Sequence, residues 1–174
     1  VYFTGNEVPN KLFLNEGKMQ FKDITEQSGV KGRSGWKTGV AMADVNGDGM
    51  LDMYVCYSGI GPKTERSNQL FINRGVQKGV PMFEDKTAEY GIGGEGSNST
   101  QSAFFDYDKD GDLDMFLLNH GTMFYSPFIN TDRLRTLRHP TFGNKLFRND
   151  QLNGKITFTE VSEAAGIKGG GNNF

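Results

Sequence analysis

The chain has 174 residues, of which 36% are hydrophobic and 23% charged, enough for one folded domain with its own core. Its formal net charge of −2 excludes the strong positive field typical of nucleic-acid-binding proteins, and no segment approaches the roughly 20 apolar residues of a membrane span. A single cysteine, Cys56, excludes an internal disulfide, and its flanks "LDMYVCYSG" predict a strand with a buried, inert thiol.

One sequence unit recurs along the chain. The block N-x-L-F-x-N starts at Asn10, Asn68 and Asn144. The block F-x-[DE]-x-[ST]-x-x-x-G-[VI] follows each copy and starts at Phe21, Phe83 and Phe158. Aromatic and branched residues at near-alternating positions predict four short strands per complete unit: one entering an acidic loop, one leaving it, and one in each block.

Residues 1–30 are predicted to be the second half of one unit, closed at Gly29 by a helical turn, "TEQSG", that ends in a left-handed conformation. Residues 31–92 form the first complete unit. Strands are predicted at Thr38–Asp44 and Asp52–Tyr57, on either side of an acidic loop. The turn "AEYG" closes this unit in the same way.

Residues 93–167 form the second complete unit, and residues 168–174 are predicted to begin another. About 20 extra residues are inserted at 121–143 in this second unit. They contain Met123 together with aromatic and arginine side chains of the kind enriched at contact hot spots: Phe124, Tyr125, Phe128, Arg133, Arg135 and Arg138. The insertion is either a loop that contacts a partner or one that packs on its own unit.

The two acidic loops share the pattern D-x-[DN]-x-D-G-x-x-D. The first loop offers Asp44, Asn46, Asp48 and Asp52, and the second offers Asp106, Asp108, Asp110 and Asp114. Calcium binds six to eight hard oxygen ligands, and a glycine at the sixth position permits the sharp turn that aims them at one ion. The backbone carbonyls of Met50 and Asp112 are predicted to add one ligand each. The pattern therefore predicts two calcium sites.

Other interpretations of these loops are weaker. An EF-hand needs a glutamate at position 12 and flanking helices, but Val55 and Leu117 occupy that position and strands are predicted to follow. Magnesium prefers a rigid octahedron that retains water, and zinc and copper prefer nitrogen or sulfur ligands. The simplest alternative is that aspartate and glycine only form turns. Two such loops at matching positions of a larger repeat argue against it.

These loops in a strand context resemble the FG-GAP or VCBS repeats of integrin α-chain propellers. The segments "LDMFLLNHG", "GNKLFRND" and "FTEVSEAAGI" resemble more narrowly the CRTAC-type, cartilage-acidic-protein-like branch. The resemblance implies an all-β fold, a β-propeller that usually has seven blades, in a secreted or cell-surface protein used for adhesion or recognition. It also implies that the loop carboxylates are calcium ligands.

A closed propeller needs at least four blades, and this sequence contains about two and a half. We therefore expect a fragment, completed by further blades of the same polypeptide or by partner chains. We expect a non-catalytic function. Calcium would have a structural role, and the surface would bind a protein or glycan ligand. The alternatives are a propeller-type polysaccharide lyase or hydrolase and an accessory subunit of a cell-surface complex. No catalytic arrangement can be assigned to His120 or His139, and Asn98 begins an N-glycosylation triplet.

Overall fold

The computed structural model describes residues 1–121, 138–152 and 154–168. Within these ranges the chain forms three antiparallel β-sheets, of three, four and four strands, and helix is confined to single short turns. The prediction of an all-β chain is confirmed. Most of the insertion at 121–143 lies outside the described residues, as does the segment expected to begin another unit beyond residue 168.

The first sheet contains the two blocks of the first repeat. Its strands, in spatial order, are β1 (Tyr2–Phe3), β2 (Lys11–Gly17) and β3 (Gln20–Asp23). The short helix α1 (Thr25–Ser28) follows, and Gly29 ends it with a φ of 75°. This left-handed residue stops the helix as the sequence predicts, since glycine adopts a positive φ without a steric penalty.

The second sheet is a four-stranded antiparallel meander. Its strands lie in chain order: β4 (Trp36–Ala43), β5 (Asp52–Ser58), β6 (Gln69–Gln77) and β7 (Val80–Asp85). A 3-10 helix, Lys63–Arg66, connects β5 to β6, and the helix α2 (Thr87–Tyr90) follows β7. The first acidic loop joins β4 to β5.

The third sheet repeats this arrangement. Its strands also lie in chain order: β8 (Ser99–Phe105), β9 (Asp114–Asn119), β10 (Lys145–Leu152) and β11 (Lys155–Glu160). The second acidic loop joins β8 to β9. Each loop is therefore flanked by strands, and the predicted order of strands within the unit is confirmed for both four-stranded sheets.

The strand β5 explains how the sheets stack, because all seven of its residues are buried. Successive side chains of a strand point to opposite faces. Met53, Val55 and Tyr57 enter a core shared with the first sheet, whereas Tyr54 and Cys56 enter a core shared with the third. The second sheet is thus packed on both faces, as expected for a blade between two neighbours.

Equivalent hydrogen bonds explain the spacing that the three copies of the repeat share. The first asparagine of each N-x-L-F-x-N block accepts a backbone hydrogen bond in the preceding part of its sheet, from Gly5, Tyr57 and Asn119 respectively. The Ser or Thr of each F-x-[DE]-x-[ST] block accepts the N–H of the block leucine, at Leu12, Leu70 and Leu146. These side chains satisfy buried backbone donors that the ladder leaves unpaired.

Candidate metal centre

The second acidic loop brings three carboxylates together. Asp106 directly follows β8, Asp108 lies within the loop, and Asp114 begins β9. One ligand oxygen of each lies within 4.8 Å of the others. Oxygens on opposite sides of a calcium ion are about 5 Å apart, because each lies roughly 2.4 Å from the metal. The spacing therefore suits one shared ion.

Backbone N–H groups hold this loop in its conformation. The N–H groups of Lys109 and Gly111 donate to the two carboxylate oxygens of Asp106, at 2.6 and 3.2 Å. Gly111 has a φ of 98°, the positive value predicted at the sixth position. The N–H dipoles offset part of the negative charge, so the loop is folded around its first carboxylate.

Asp114 is the buried member of the group and connects its own strand, β9, to the loop and to β10. One of its carboxylate oxygens accepts the N–H of Tyr107 at 2.9 Å, and the other accepts the N–H of Asn149 in β10 at 2.8 Å. The side-chain amide of Asn149 donates to the carbonyl oxygens of Leu113, at 3.2 Å, and Val45, at 3.4 Å. Because Val45 belongs to the first acidic loop, Asn149 also joins the second sheet to the third.

The crowding of carboxylates has an electrostatic signature. Burial, followed by the charges of Asp110 and Asp114, raises the pKa of Asp112 to about 6. Desolvation and the same two charges also raise the pKa of Asp108. One side-chain oxygen of Asp112 is buried without a hydrogen-bond partner. Such shifts mark a site that favours an added positive charge.

Asp110 lies outside the group of three. It is exposed, and its carboxylate accepts the N–H of Asp112 at 3.2 Å. Among residues 1–121, 138–152 and 154–168, the cluster of Asp106, Asp108 and Asp114 is the one place where three acidic, histidine or cysteine side chains converge in this way. Coordination by Asp110, and by the backbone carbonyl of Asp112, stays a prediction.

The first acidic loop shares the contact between its glycine and its first carboxylate but directs its other side chains differently. The carboxylate of Asp44 accepts the N–H groups of Asp48, at 3.0 Å, and Gly49, at 2.8 Å. The carboxylate of Asp48 accepts the Asn46 amide and the Met50 N–H, each at 2.9 Å. These side chains are engaged by the loop itself, and the carbonyl of Met50 stays a predicted ligand.

Asp52 is the counterpart of Asp114. Its two oxygens accept the N–H groups of Val45, at 2.9 Å, and Asn73 in β6, at 2.8 Å. Burial raises the pKa of Asp52, although these two hydrogen bonds oppose the shift. The part played by Asn73 and Asn149 was not predicted from the sequence. The signal was present, since both are the final asparagine of N-x-L-F-x-N.

The other residues that the sequence singled out lie away from the loops. The ring of His139 stacks on Phe142 with centroids 4.5 Å apart, and its Nδ1 accepts the N–H groups of Thr141 and Phe142. His139 therefore has a structural role. Asn98 is fully buried, and its side-chain oxygen accepts a hydrogen bond from Arg66 at 3.2 Å, so glycosylation would require this region to open.

Comparison with known protein families supports the resemblance to FG-GAP repeats over part of the chain. Residues 1–55 match the FG-GAP-like repeat. This span contains the first sheet, the strand β4 and the whole first acidic loop. No curated protein matches the chain significantly. The match supports the FG-GAP family, whereas the CRTAC-type branch stays a prediction. None of the described helices has the length and apolar character that crossing a membrane requires.

Proposed function

We propose that the chain is a non-catalytic, calcium-binding segment of a β-propeller in a secreted or cell-surface protein that acts in adhesion or recognition. The observation that carries this proposal is the convergence of Asp106, Asp108 and Asp114 in the second acidic loop. The repeat match over residues 1–55 supports the propeller architecture.

The donor set favours calcium over other metals. The three converging ligands are carboxylate oxygens, and Asp110 and Asp112 lie close enough in sequence to supply more. A hard cation with a large, adaptable coordination shell suits such a loop, where backbone carbonyls and solvent would complete the shell. Zinc and copper would instead require imidazole or thiolate ligands, which this cluster does not contain.

Calcium in this position has a structural task. Asp114 is hydrogen-bonded to the loop and to β10, so an ion bound by Asp106, Asp108 and Asp114 ties β8, β9 and β10 together. The ion would also relieve the carboxylate repulsion that, after burial, raises the pKa values of Asp108 and Asp112. A sheet stiffened in this way can present the loops at its other end to a protein or glycan partner.

The test compares calcium binding in two variants with equal charge changes. Asp108→Asn removes a converging carboxylate that is exposed, so the fold should be retained. Glu16→Gln removes an exposed carboxylate on β2, outside either loop. We expect calcium to raise the Tm of the parent chain and of Glu16→Gln, and EDTA to reverse the rise. Asp108→Asn should weaken calcium binding at least about tenfold, measured by calorimetric titration.

Two results would count against the proposal. A Tm that is the same in calcium and in EDTA would contradict a structural calcium site. Equal calcium affinities for Asp108→Asn and Glu16→Gln would show that any bound ion lies elsewhere. The second acidic loop has more ligand charge than the first, so titration should resolve one tighter site in the parent chain.

A further inference from the structure

A cavity of about 350 Å³ lies at the opposite end of the sheets from the acidic loops. Trp36 pairs with Ser58 at the open end of the β4–β5 hairpin, whereas Ala43 pairs with Asp52 beside the first acidic loop, which closes the hairpin. The cavity is bordered by Trp36, Thr38, Ser58, Ile60 and His120. It therefore spans the second and third sheets and is separate from the proposed calcium site.

The repeat itself places two of these polar side chains together. Ser58 follows Tyr57, whose N–H donates to the first asparagine of one N-x-L-F-x-N block. His120 follows Asn119, whose N–H donates to the corresponding asparagine of the next. The two residues thus hold equivalent positions in successive sheets, and the Ser58 Oγ lies 2.8 Å from the His120 Nε2.

The hydrogen bonds of His120 assign its tautomer. Its Nδ1 lies 3.0 Å from the carbonyl oxygen of Gly121, which can only accept, so Nδ1 carries the proton. In the neutral imidazole, Nε2 then accepts the hydroxyl proton of Ser58. This leaves the Ser58 oxygen with lone pairs that can accept a hydrogen bond from a ligand hydroxyl.

The cavity has further unused hydrogen-bonding capacity. The Thr38 hydroxyl donates to the Ser99 carbonyl oxygen at 2.7 Å and keeps its lone pairs for accepting. The indole N–H of Trp36 makes no hydrogen bond with any described residue, and this side chain is 46% exposed. Ile60 beside it is fully exposed. The cavity combines an aromatic face, an aliphatic edge, one free donor and two acceptors.

Charge restricts the class of ligand. None of the described residues that border this cavity is an aspartate, glutamate, lysine or arginine. A second cavity, of about 380 Å³, also borders Trp36 and Ser58 and adds Glu7 and Glu65. Neither glutamate forms an ion pair within the described part of the chain. The two carboxylates that line the second cavity oppose an anionic ligand bound at the indole.

We propose that Trp36, with Ser58, Thr38 and His120, binds a neutral sugar ring of a glycan. A sugar ring offers C–H groups that pack on an aromatic face and hydroxyls that both donate and accept, which fits the groups around this cavity. A cationic ligand would use the carboxylates on one side of the indole but not the free N–H donor. The inference rests on the proposed recognition function and is independent of calcium binding.

The experiment uses the tryptophan as its own reporter, because Trp36 is the only one in the chain. We would follow tryptophan emission while adding one of three neutral sugars: N-acetylglucosamine, galactose or mannose. N-acetylneuraminic acid serves as the acidic comparison. At least one neutral sugar should give a saturable change with a Kd of about 1 mM, a plausible affinity for one small ring. The acidic sugar should bind at least about tenfold more weakly because of Glu7 and Glu65.

Variants assign the binding by calorimetry, which does not need the indole. Trp36→Ala should weaken the neutral sugar at least about tenfold, and Trp36→Phe, which keeps a ring, should weaken it less. Val76→Ser changes an exposed side chain on β6 and should leave the affinity unchanged.

Three results would overturn the inference. The first is no emission change with any of the three neutral sugars. The second is unchanged affinity in Trp36→Ala. The third is binding of glucosamine, with its ammonium group, while all three neutral sugars fail, which would identify a cationic ligand instead. If calcium still raises the Tm in those cases, only the sugar site is wrong; if calcium has no effect either, the proposed function fails as well.

Discussion

At the scale of single residues, the buried aspartate at the ninth loop position organises each acidic loop. Asp52 and Asp114 are fully buried, and each accepts one N–H from its own loop and one from the third strand of its sheet. Burying a carboxylate is costly unless hydrogen bonds or a cation satisfy it. The final asparagine of the N-x-L-F-x-N block thus helps to hold the loop through a hydrogen bond to this aspartate, although it lies more than 20 residues away in sequence.

The side chain of Asn149 makes a second, separate contact with both acidic loops, and a substitution can test it. Asn149→Ala removes the side-chain hydrogen bonds to the carbonyl oxygens of Leu113 and Val45. It should lower the free energy of unfolding by about 1–3 kcal/mol. Asn15 holds the same place in the first repeat but is exposed, so Asn15→Ala should cost less than about 0.5 kcal/mol. Urea denaturation measures both. Equal losses would contradict a specific role for Asn149 between the loops.

At the scale of elements, each [DE]-x-[ST] sequence fastens the last strand of a sheet to the helical turn or tight turn after it. Asp85 accepts the N–H of Thr87 at 3.0 Å and the side-chain amide of Gln69 at 2.7 Å, and it pairs with Arg33 at 3.2 Å. Asp23 and Thr25 repeat the contact at the first sheet. The turn position is therefore set by side chains and needs little intrinsic helix propensity.

This junction predicts a pH dependence of stability. Burial acts to raise the pKa of Asp85, but the hydrogen bonds from Thr87 and Gln69 and the charge of Arg33 outweigh it and lower the pKa below its ordinary value. A lowered pKa stabilises the fold above the unfolded pKa of about 3.9, and this contribution is lost as the pH falls through the folded value. Asp85→Asn should therefore show a smaller loss of urea midpoint between neutral and acidic pH than the parent chain. The same loss in both proteins would contradict this.

At the scale of the whole molecule, stability comes from sheets packed face to face, with β5 and β9 at the centre. Leu117 is fully buried between the second and third sheets, and Leu118, the next residue of β9, is 40% exposed. Leu117→Ala should lower the free energy of unfolding by about 2–5 kcal/mol. Leu118→Ala should lower it by less than about 1 kcal/mol. Similar losses would mean that the sheets do not share this core.

Much of this architecture could be predicted from the sequence, because the same pattern recurs in each repeat. The strands beside each loop, the order of strands in each sheet and the left-handed glycines at 29 and 91 follow from local patterns. Contacts between sheets could not be predicted, since they depend on how one unit is rotated against the next. The meeting of Ser58 with His120, and of Asn149 with Val45, arises only from that packing.

An ion bound in the second acidic loop is the feature on which the proposed function depends most. The direct measurement is an anomalous difference map from crystals of this chain grown in calcium. We predict a peak about 2.3–2.6 Å from carboxylate oxygens of Asp106, Asp108 and Asp114. An ordered second loop without such a peak, in crystals that contain millimolar calcium, would contradict the proposed calcium site and the structural role given to it.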